Sequence, residues 1–404
     1  MKKELLERII SGKKNVIISG NVATGKTTNV MFPMVDEIID AKENIFIIDA
    51  KEEYINKYYD KLKEKNYNIV VINLRDLSKS EGWNPLEYPY SLYKKGNIDA
   101  TLDYLEEMAQ IIFYKKEDYD PYWANTASDF FVGVTLALFE DGASDEINFN
   151  SINAIFNGVD KHIGRTDYTT EYLKSKGINS QAYIYSASTI MAPRDTKASI
   201  LSVATQRIKP FVSREKLTHM INKTTFSLDN VDTTPTAIFF IARDENKSLN
   251  NLATIFIEQL YSKLISMKIK NKFNLILDNF DVIERFNGLT DMLESSTSRN
   301  VKFYILTRLL DEFKETYGNA IIKLCNTVSI NNSEVSLMID DKNININNEF
   351  VEVLIPDANF EYPKLDESSV NVFSIPEKNQ ASHINVEDIM KKIDKKIEEL
   401  EKED

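Results

Sequence analysis

Gly20-Asn21-Val22-Ala23-Thr24-Gly25-Lys26-Thr27 is the stretch that decides how this chain folds. It fits GxxxxGK[ST], in which glycines let successive backbone N–H groups turn inward around phosphate oxygens. The apolar run Asn15–Ser19 (NVIIS) before it reads as a short strand, and a helix is expected from about Lys26 to Ala41. A strand, a glycine turn and a helix N-terminus in that order make an anion site, because the helix dipole favours negative charge there. The pattern assigns Gly20, Asn21, Val22, Ala23, Thr24, Gly25, Lys26, Thr27 and Thr28 to a nucleotide. Lys26 would meet the β- and γ-phosphates of ATP, and the Thr27 hydroxyl would ligate Mg2+.

Working outward, further apolar runs predict strands at Asn44–Asp49 (NIFIID), Asn68–Leu74, Thr236–Ala242, Phe273–Asp278 (FNLILD), Val301–Leu306 and Asn326–Ile330. Strands alternating with helical stretches imply a mainly parallel sheet with helices on its faces. Between them, Asp99–Tyr114, Trp123–Phe139 and Ile152–Val159 carry helical periodicity with few strand signals. The expected fold is therefore α/β, with residues 1–90 and 190–380 forming a nucleotide-binding domain and 91–189 an all-α insertion. A helix at Ala198–Ile208 should end before Pro210. Residues 381–404 form an acidic tail with Ile389, Ile393, Ile397 and Leu400 on one helical stripe.

The 404 residues suggest two or three domains. With 21 Phe and 19 Tyr the chain has apolar surface enough to exclude disorder throughout. A single Cys excludes an internal disulfide, and only 3 His argue against a Cys/His zinc site. The net charge of -13 argues against indiscriminate nucleic-acid binding, yet leaves room for a local basic surface inside a ring. The N-terminus lacks the apolar core of a signal peptide. The longest apolar stretch, Phe130–Phe139, is about half of the roughly 20 residues that span a bilayer. A cytoplasmic protein without a transmembrane helix of its own is expected.

A P-loop needs an acidic partner at a neighbouring strand end to hold Mg2+ through water. Asp278 is the first candidate and Asp49 the competitor, either of which could instead be a turn or helix-cap residue. Hydrolysing motors usually place Glu after this Asp. Here it is Asn279, whose amide can orient water but cannot take its proton; Asp281 or Glu284 could substitute. In Tyr114–Trp123 (YKKEDYDPYW) three acids outweigh two lysines, so core anchoring is expected over base stacking. Trp83-Asn84-Pro85-Leu86 reads as a packing turn, and Lys51 as a surface lysine.

The order of these motifs resembles the TraG/TraD-like type IV secretion coupling proteins, the conjugative DNA-transfer ATPases related to FtsK and HerA. Ile47–Tyr54 (IIDAKEEY) is similar to their strand-end D-x-K-x-E segment through Asp49, Lys51 and Glu53. Val71–Tyr88 resembles their segment ending in W-N-P-L, Tyr122–Phe131 the start of a helix in their all-α domain, Leu275–Ile283 their strand-end Asp-Glu-Phe, and Ser298–Gly318 their arginine turn, strand and Y-G helix. The resemblance implies a RecA-like P-loop NTPase interrupted by an all-α domain and assembled as a homo-hexamer. It implies ATP and Mg2+ between subunits, and DNA with its attached relaxase delivered to secretion-channel proteins. Lys26, Thr27 and Asp278 take the ATP and Mg2+ roles by position. Arg299 falls where the family has an arginine directed at a neighbour's γ-phosphate; otherwise it is a solvated turn residue. Arg308, or Thr307 if the alignment slips by one, falls at the family's γ-phosphate-sensing Gln. Arg308 could reach phosphate or pair with Asp311 or Glu312. The family's catalytic Glu is Asn279 here, and its leading membrane helices have no counterpart before Asn15. The departures fit a soluble ring ATPase, peripheral at the inner face of the plasma membrane beside a separate membrane partner. They also fit a non-hydrolysing ATP-binding scaffold or degenerate paralogue assembling with an active motor.

Overall fold

The computed structural model describes residues 12–346, apart from 23, 116–119, 159–161, 164–165, 246–248, 281–282, 284–287, 332–333 and 340–341, and beyond that span Lys395 alone. The expected tail helix at 381–404 lies outside the described residues.

The chain opens with β1 (Asn15–Gly20), a wide π-type turn at Lys26–Met31, α1 (Phe32–Asp40), β2 (Asn44–Ile48), α2 (Glu53–Glu64) and β3 (Asn68–Asn73). Helices follow: α3 (Glu87–Lys94), α4 (Ile98–Phe113), α5 (Pro121–Asp141), α6 (Phe149–Asn157), α7 (Tyr168–Lys174), α8 (Gln181–Ile190), α9 (Arg194–Val212) and α10 (Glu215–Asn222). Strands then return as β4 (Thr236–Ile241), β5 (Phe273–Leu277), β6 (Val301–Thr307), β7 (Cys325–Asn331), β8 (Glu334–Ile339) and β9 (Lys342–Ile346). The helices α11 (Asn251–Met267), α12 (Leu289–Ser296), α13 (Leu310–Tyr317) and α14 (Ala320–Lys323) lie between them in sequence.

The chain divides into two compact units, one running to Glu81 and resuming at Phe226, the other running from Gly82 to Thr225. In the first unit the strand order is β9-β8-β7-β1-β6-β5-β2-β4-β3. The seven strands from β7 to β3 are parallel, and β8 and β9 add an antiparallel edge. The parallel strands are continuous apolar runs because helices cover both faces; Val16, Ile17 and Ile18 of β1 and Leu275, Ile276 and Leu277 of β5 are fully buried. One core joins Val16 and Ile18 to Met34, Val35 and Ile38 of α1 and to Tyr54 and Tyr58 of α2. At the starting edge of the sheet, Asn15 Nδ2 donates to the Leu293 carbonyl at 2.8 Å while its Oδ1 accepts from Phe303 N at 2.9 Å. These bonds satisfy backbone groups that the strand ends would otherwise leave buried and unpaired.

The second unit is built on α5, whose buried residues include Phe130, Phe131, Val134, Leu138 and Phe139. It packs against α4, α8 and α9. Sequence reasoning placed the helix near 200 in the α/β part and ended it before Pro210. Instead α9 packs on α5 and α6 and runs through Pro210 to Val212. Ile200, Ala204, Ile208 and Phe211 form one buried stripe, and burying Phe211 offsets the hydrogen bond lost at the proline. Core anchoring of the Tyr114–Trp123 segment is also corrected. Tyr114 and Tyr122 are exposed, because α4 ends at Phe113 and Asp120 caps α5, leaving both rings outside the buried helical faces; residues 116–119 lie outside the described set.

Candidate nucleotide site

The C-terminal ends of parallel strands are where an open α/β sheet presents its loops to ligands. Here β1 delivers the glycine turn, and β5, one strand beyond the intervening β6, delivers Asp278. Gly25 sits at φ 80° and ψ 15°, the left-handed conformation that glycine adopts without strain. A Cβ on Gly20 would come within 2.8 Å of both the Ile330 carbonyl and Thr24 Oγ1, so only glycine fits. The Gly20 N–H donates to the Arg308 carbonyl at 3.2 Å, tying the loop to the end of β6. Thr24 Oγ1 donates to the Asn21 carbonyl at 2.9 Å. The Lys26 ammonium donates to the Gly20 carbonyl and, at 2.9 Å, to the Asn21 carbonyl, so it bridges the loop that it follows. Thr28 Oγ1 is buried with no hydrogen-bond partner. Val22 is exposed at the loop tip; Ala23 lies outside the described residues.

Asp278 is 4% exposed and meets Thr27 directly: Thr27 Oγ1 donates to Asp278 Oδ2 at 2.9 Å. The hydroxyl of Tyr54 donates to the same oxygen at 2.6 Å, and the Asn279 N–H donates to Oδ1 at 2.7 Å. Burial pushes this carboxyl's pKa up, against the donors Tyr54, Thr27 and Asn279 N–H and the Lys26 charge, which pull it down. Asp49, the competitor, does another job. Its Oδ1 accepts from Glu53 N at 2.9 Å, and its Oδ2 accepts from Tyr54 N at 3.0 Å and Ile55 N at 2.9 Å. It therefore binds the orphan N–H groups of α2 in the manner of an N-cap. Burial lifts its pKa to about 7, against the hydrogen bond from Ile55 N and with a further upward push from the Asp278 charge. Between the two acids, Asp278 is the one beside the glycine turn.

Tyr54 is the functional residue that sequence reasoning missed. It lies on the buried stripe Tyr54, Ile55, Tyr58 and Leu62 of α2. Its ring packs edge-on against Phe32, with centroids 5.3 Å apart. An apolar stripe is all that its spacing announces; which carboxylate its hydroxyl meets depends on β2 lying beside β5, with Ile48 in register with Leu277.

The remaining predicted residues separate. Asn279 has φ +53°, a left-handed backbone in which Asn is favoured over most residues. Arg308 is exposed at the end of β6, on the loop side of the sheet. Arg299 is exposed just before Val301, at the starting edge of the same strand. Seven strand residues lie between them, roughly 23 Å at 3.3 Å per residue, so one chain does not bring Arg299 to its own glycine turn. Asp281 and Glu284 lie outside the described residues.

A sequence-family profile described as "Type IV secretory system Conjugative DNA transfer" matches residues 10–343. The chain belongs to this family. Solved structures similar to this conjugative DNA-transfer family member include the bacterial conjugative coupling protein TrwBdeltaN70 in complex with sulphate. It has a TM-score of 0.56 and 14% identity, over 85% of this chain and 81% of that chain. The plasmid coupling protein TrwB with the non-hydrolysable ATP analogue ADPNP gives 0.55 and 14%, over 82% and 78%. TrwB with ADP and Mg2+ gives 0.55 and 13%, over 85% and 79%. The likeness establishes the RecA-like P-loop fold that the strand order and glycine turn describe. No curated protein sequence matches the chain. Among the described residues, no helix is long and apolar enough to cross a membrane.

Proposed function

We propose that this chain binds ATP with Mg2+ at Gly20–Thr28 and works as a ring ATPase subunit that moves DNA during conjugative transfer. The observation that carries this is the direct meeting of Thr27 and Asp278, 251 positions apart in sequence, at the foot of a glycine turn that ends in Lys26. The donor set fits the nucleotide. The unpartnered Thr28 Oγ1 and the N–H groups that open the helix offer polar contacts to phosphate, and Lys26 offers the charge. Thr27 and Asp278 would hold Mg2+, which, when bound, supplies charge neutralisation on the β- and γ-phosphate oxygens. By analogy with the TrwB complexes, the occupants are a nucleoside triphosphate or diphosphate and that metal.

As a ring subunit the chain is a homo-hexamer whose Arg299 serves the site of an adjacent copy, because its own site lies at the other edge of the sheet. Arg308, at the loop edge, is the γ-phosphate sensor. The helical insertion engages DNA or its relaxase, and the secretion-channel proteins receive them at the inner face of the plasma membrane. The test is turnover: purified protein should hydrolyse ATP faster with single-stranded DNA than without it. A protein that binds ATP yet shows no turnover in either condition sinks the motor. Asn279 favours a second reading in that event, a non-hydrolysing ATP-binding scaffold that assembles with an active relative.

Tyr54 should matter through the metal. In Tyr54→Phe the ring and its contact with Phe32 persist, while Asp278 loses one of its three donors. Losing a hydrogen bond to a charged group is worth about 1.5–3 kcal/mol. The Mg2+ concentration needed for half-maximal nucleotide binding should therefore shift on the order of tenfold or more. A magnesium titration with a fluorescent ATP analogue checks it, and an unchanged midpoint removes Tyr54 from the site.

A further inference from the structure

Asn279 puts an amide where a hydrolysing motor carries a carboxylate able to take a proton from water. Glu53 precedes Tyr54, whose hydroxyl donates to Asp278. It opens α2, directly after a left-handed Glu52 at φ 59°. Its N–H is held by Asp49 Oδ1, and the next residue along places its hydroxyl 2.6 Å from Asp278. The register of Ile48 with Leu277 brings the ends of β2 and β5 level. The first turn of α2 is thus fastened to Asp49 at the Glu53 N–H and, through the Tyr54 hydroxyl, to the metal-side carboxylate Asp278. Its side chain is 21% exposed, at the boundary between core and solvent. Lys51 lies 3.9 Å from Oε1, beyond hydrogen-bond range, and is itself half exposed, so the pair holds the carboxylate weakly. Burial raises the Glu53 pKa; the Lys51 charge opposes this and the Asp278 charge adds to it. Both upward effects make the carboxylate a better proton acceptor.

We propose that Glu53 is the general base of this chain's ATP hydrolysis, supplying from the first turn of α2 the carboxylate that Asn279 replaces after Asp278. The step rests on the nucleotide reading above. Water oxygen forms a bond to the γ-phosphorus as the bond from that phosphorus to the β,γ-bridging oxygen breaks, its electron pair leaving on ADP. The water proton passes to a Glu53 carboxylate oxygen and from there to released phosphate or bulk water. The amide of Asn279 orients the water without receiving the proton.

The test compares wild type, Glu53→Gln and the double variant Glu53→Gln/Asn279→Glu, each measured for binding of a fluorescent ATP analogue and for turnover with single-stranded DNA. The expected result is unchanged binding in Glu53→Gln with turnover reduced on the order of 100-fold or more. Turnover should be partly recovered in the double variant, where a carboxylate stands after Asp278. Glu53→Gln turnover within a few-fold of wild type overturns the proposal and directs attention to Asp281 or Glu284. Loss of binding in Glu53→Gln, or a turnover defect that Glu at 279 does not restore, makes Glu53 structural and overturns it too. Wild type that binds nucleotide without turnover overturns the base assignment and leaves the nucleotide site standing. Wild type that binds no nucleotide removes the site reading itself, and the base with it.

Discussion

Lys26→Ala is expected to abolish nucleotide-dependent activity and to weaken ATP binding on the order of 100-fold. The ammonium is the one side-chain charge that the glycine turn presents, at the N-terminal end of the helical segment that follows β1. A charge-assisted hydrogen bond contributes about 1.5–3 kcal/mol, and each 1.4 kcal/mol is tenfold in affinity. The same ammonium bridges the Gly20 and Asn21 carbonyls, so its removal also loosens the loop. Lys26→Arg should rescue poorly, because a planar fork does not replace a point charge gripped by two carbonyls. Titration with a fluorescent ATP analogue, alongside a thermal melt to confirm folding, measures both. Wild-type affinity in Lys26→Ala would remove the phosphate role from this loop.

Asp278→Asn should produce the second large effect, and one of a different kind. The amide keeps the shape but loses the charge, and it turns one of the two acceptor oxygens into a donor. Thr27, Tyr54 and the Asn279 N–H all donate to the present carboxylate, so at least one donor must lose its partner in the core, at about 1–3 kcal/mol. Binding should lose its magnesium dependence, and turnover should fall below detection. The informative control is Asp49→Asn. Asn is a good helix cap, and Asp49 serves α2 rather than the metal. That variant should keep the magnesium midpoint within about twofold while shifting the melting temperature. Should Asp49→Asn lose the magnesium response and Asp278→Asn keep it, the assignment of the two carboxylates is reversed.

How much of this was legible follows from what each signal encodes. The seven parallel strands, from Asn15–Gly20 to Cys325–Asn331, announced themselves because both of their faces are buried and their apolar runs are unbroken. The glycine turn was equally plain, since its spacing is fixed by phosphate geometry rather than by context. Asp278 could be nominated first from its strand end, with Asp49 left standing as its competitor. Both close apolar strands, and only the strand order puts one beside Thr27 and the other under α2. Tyr54 was illegible for the same reason, its hydroxyl acting across a sheet neighbour 224 positions away. The end of α9 was misjudged because the local rule against proline outweighed, on paper, a tertiary term that periodicity alone does not price. The exposure of Tyr114 and Tyr122 depends on where two helices stop, which is the least certain feature of any sequence pattern.

The place where the helical unit begins and ends has an evolutionary consequence. The Gly82 N–H donates to Thr225 Oγ1 at 2.9 Å, and the Thr225 N–H donates back to the Gly82 carbonyl at 3.0 Å. Beside them Trp83 N donates to the Met220 carbonyl at 2.8 Å, and Asn84 Nδ2 reaches the carbonyls of Ile147 and Asn222. A Cβ on Gly82 would stand 2.3 Å from the Lys223 carbonyl, so the seam closes only around glycine. Outgoing and returning chain therefore meet like the two halves of a zip fastener. Whatever lies beyond the fastener can be lengthened, remodelled or exchanged for another helical module without opening it, because the two ends stay buttoned together.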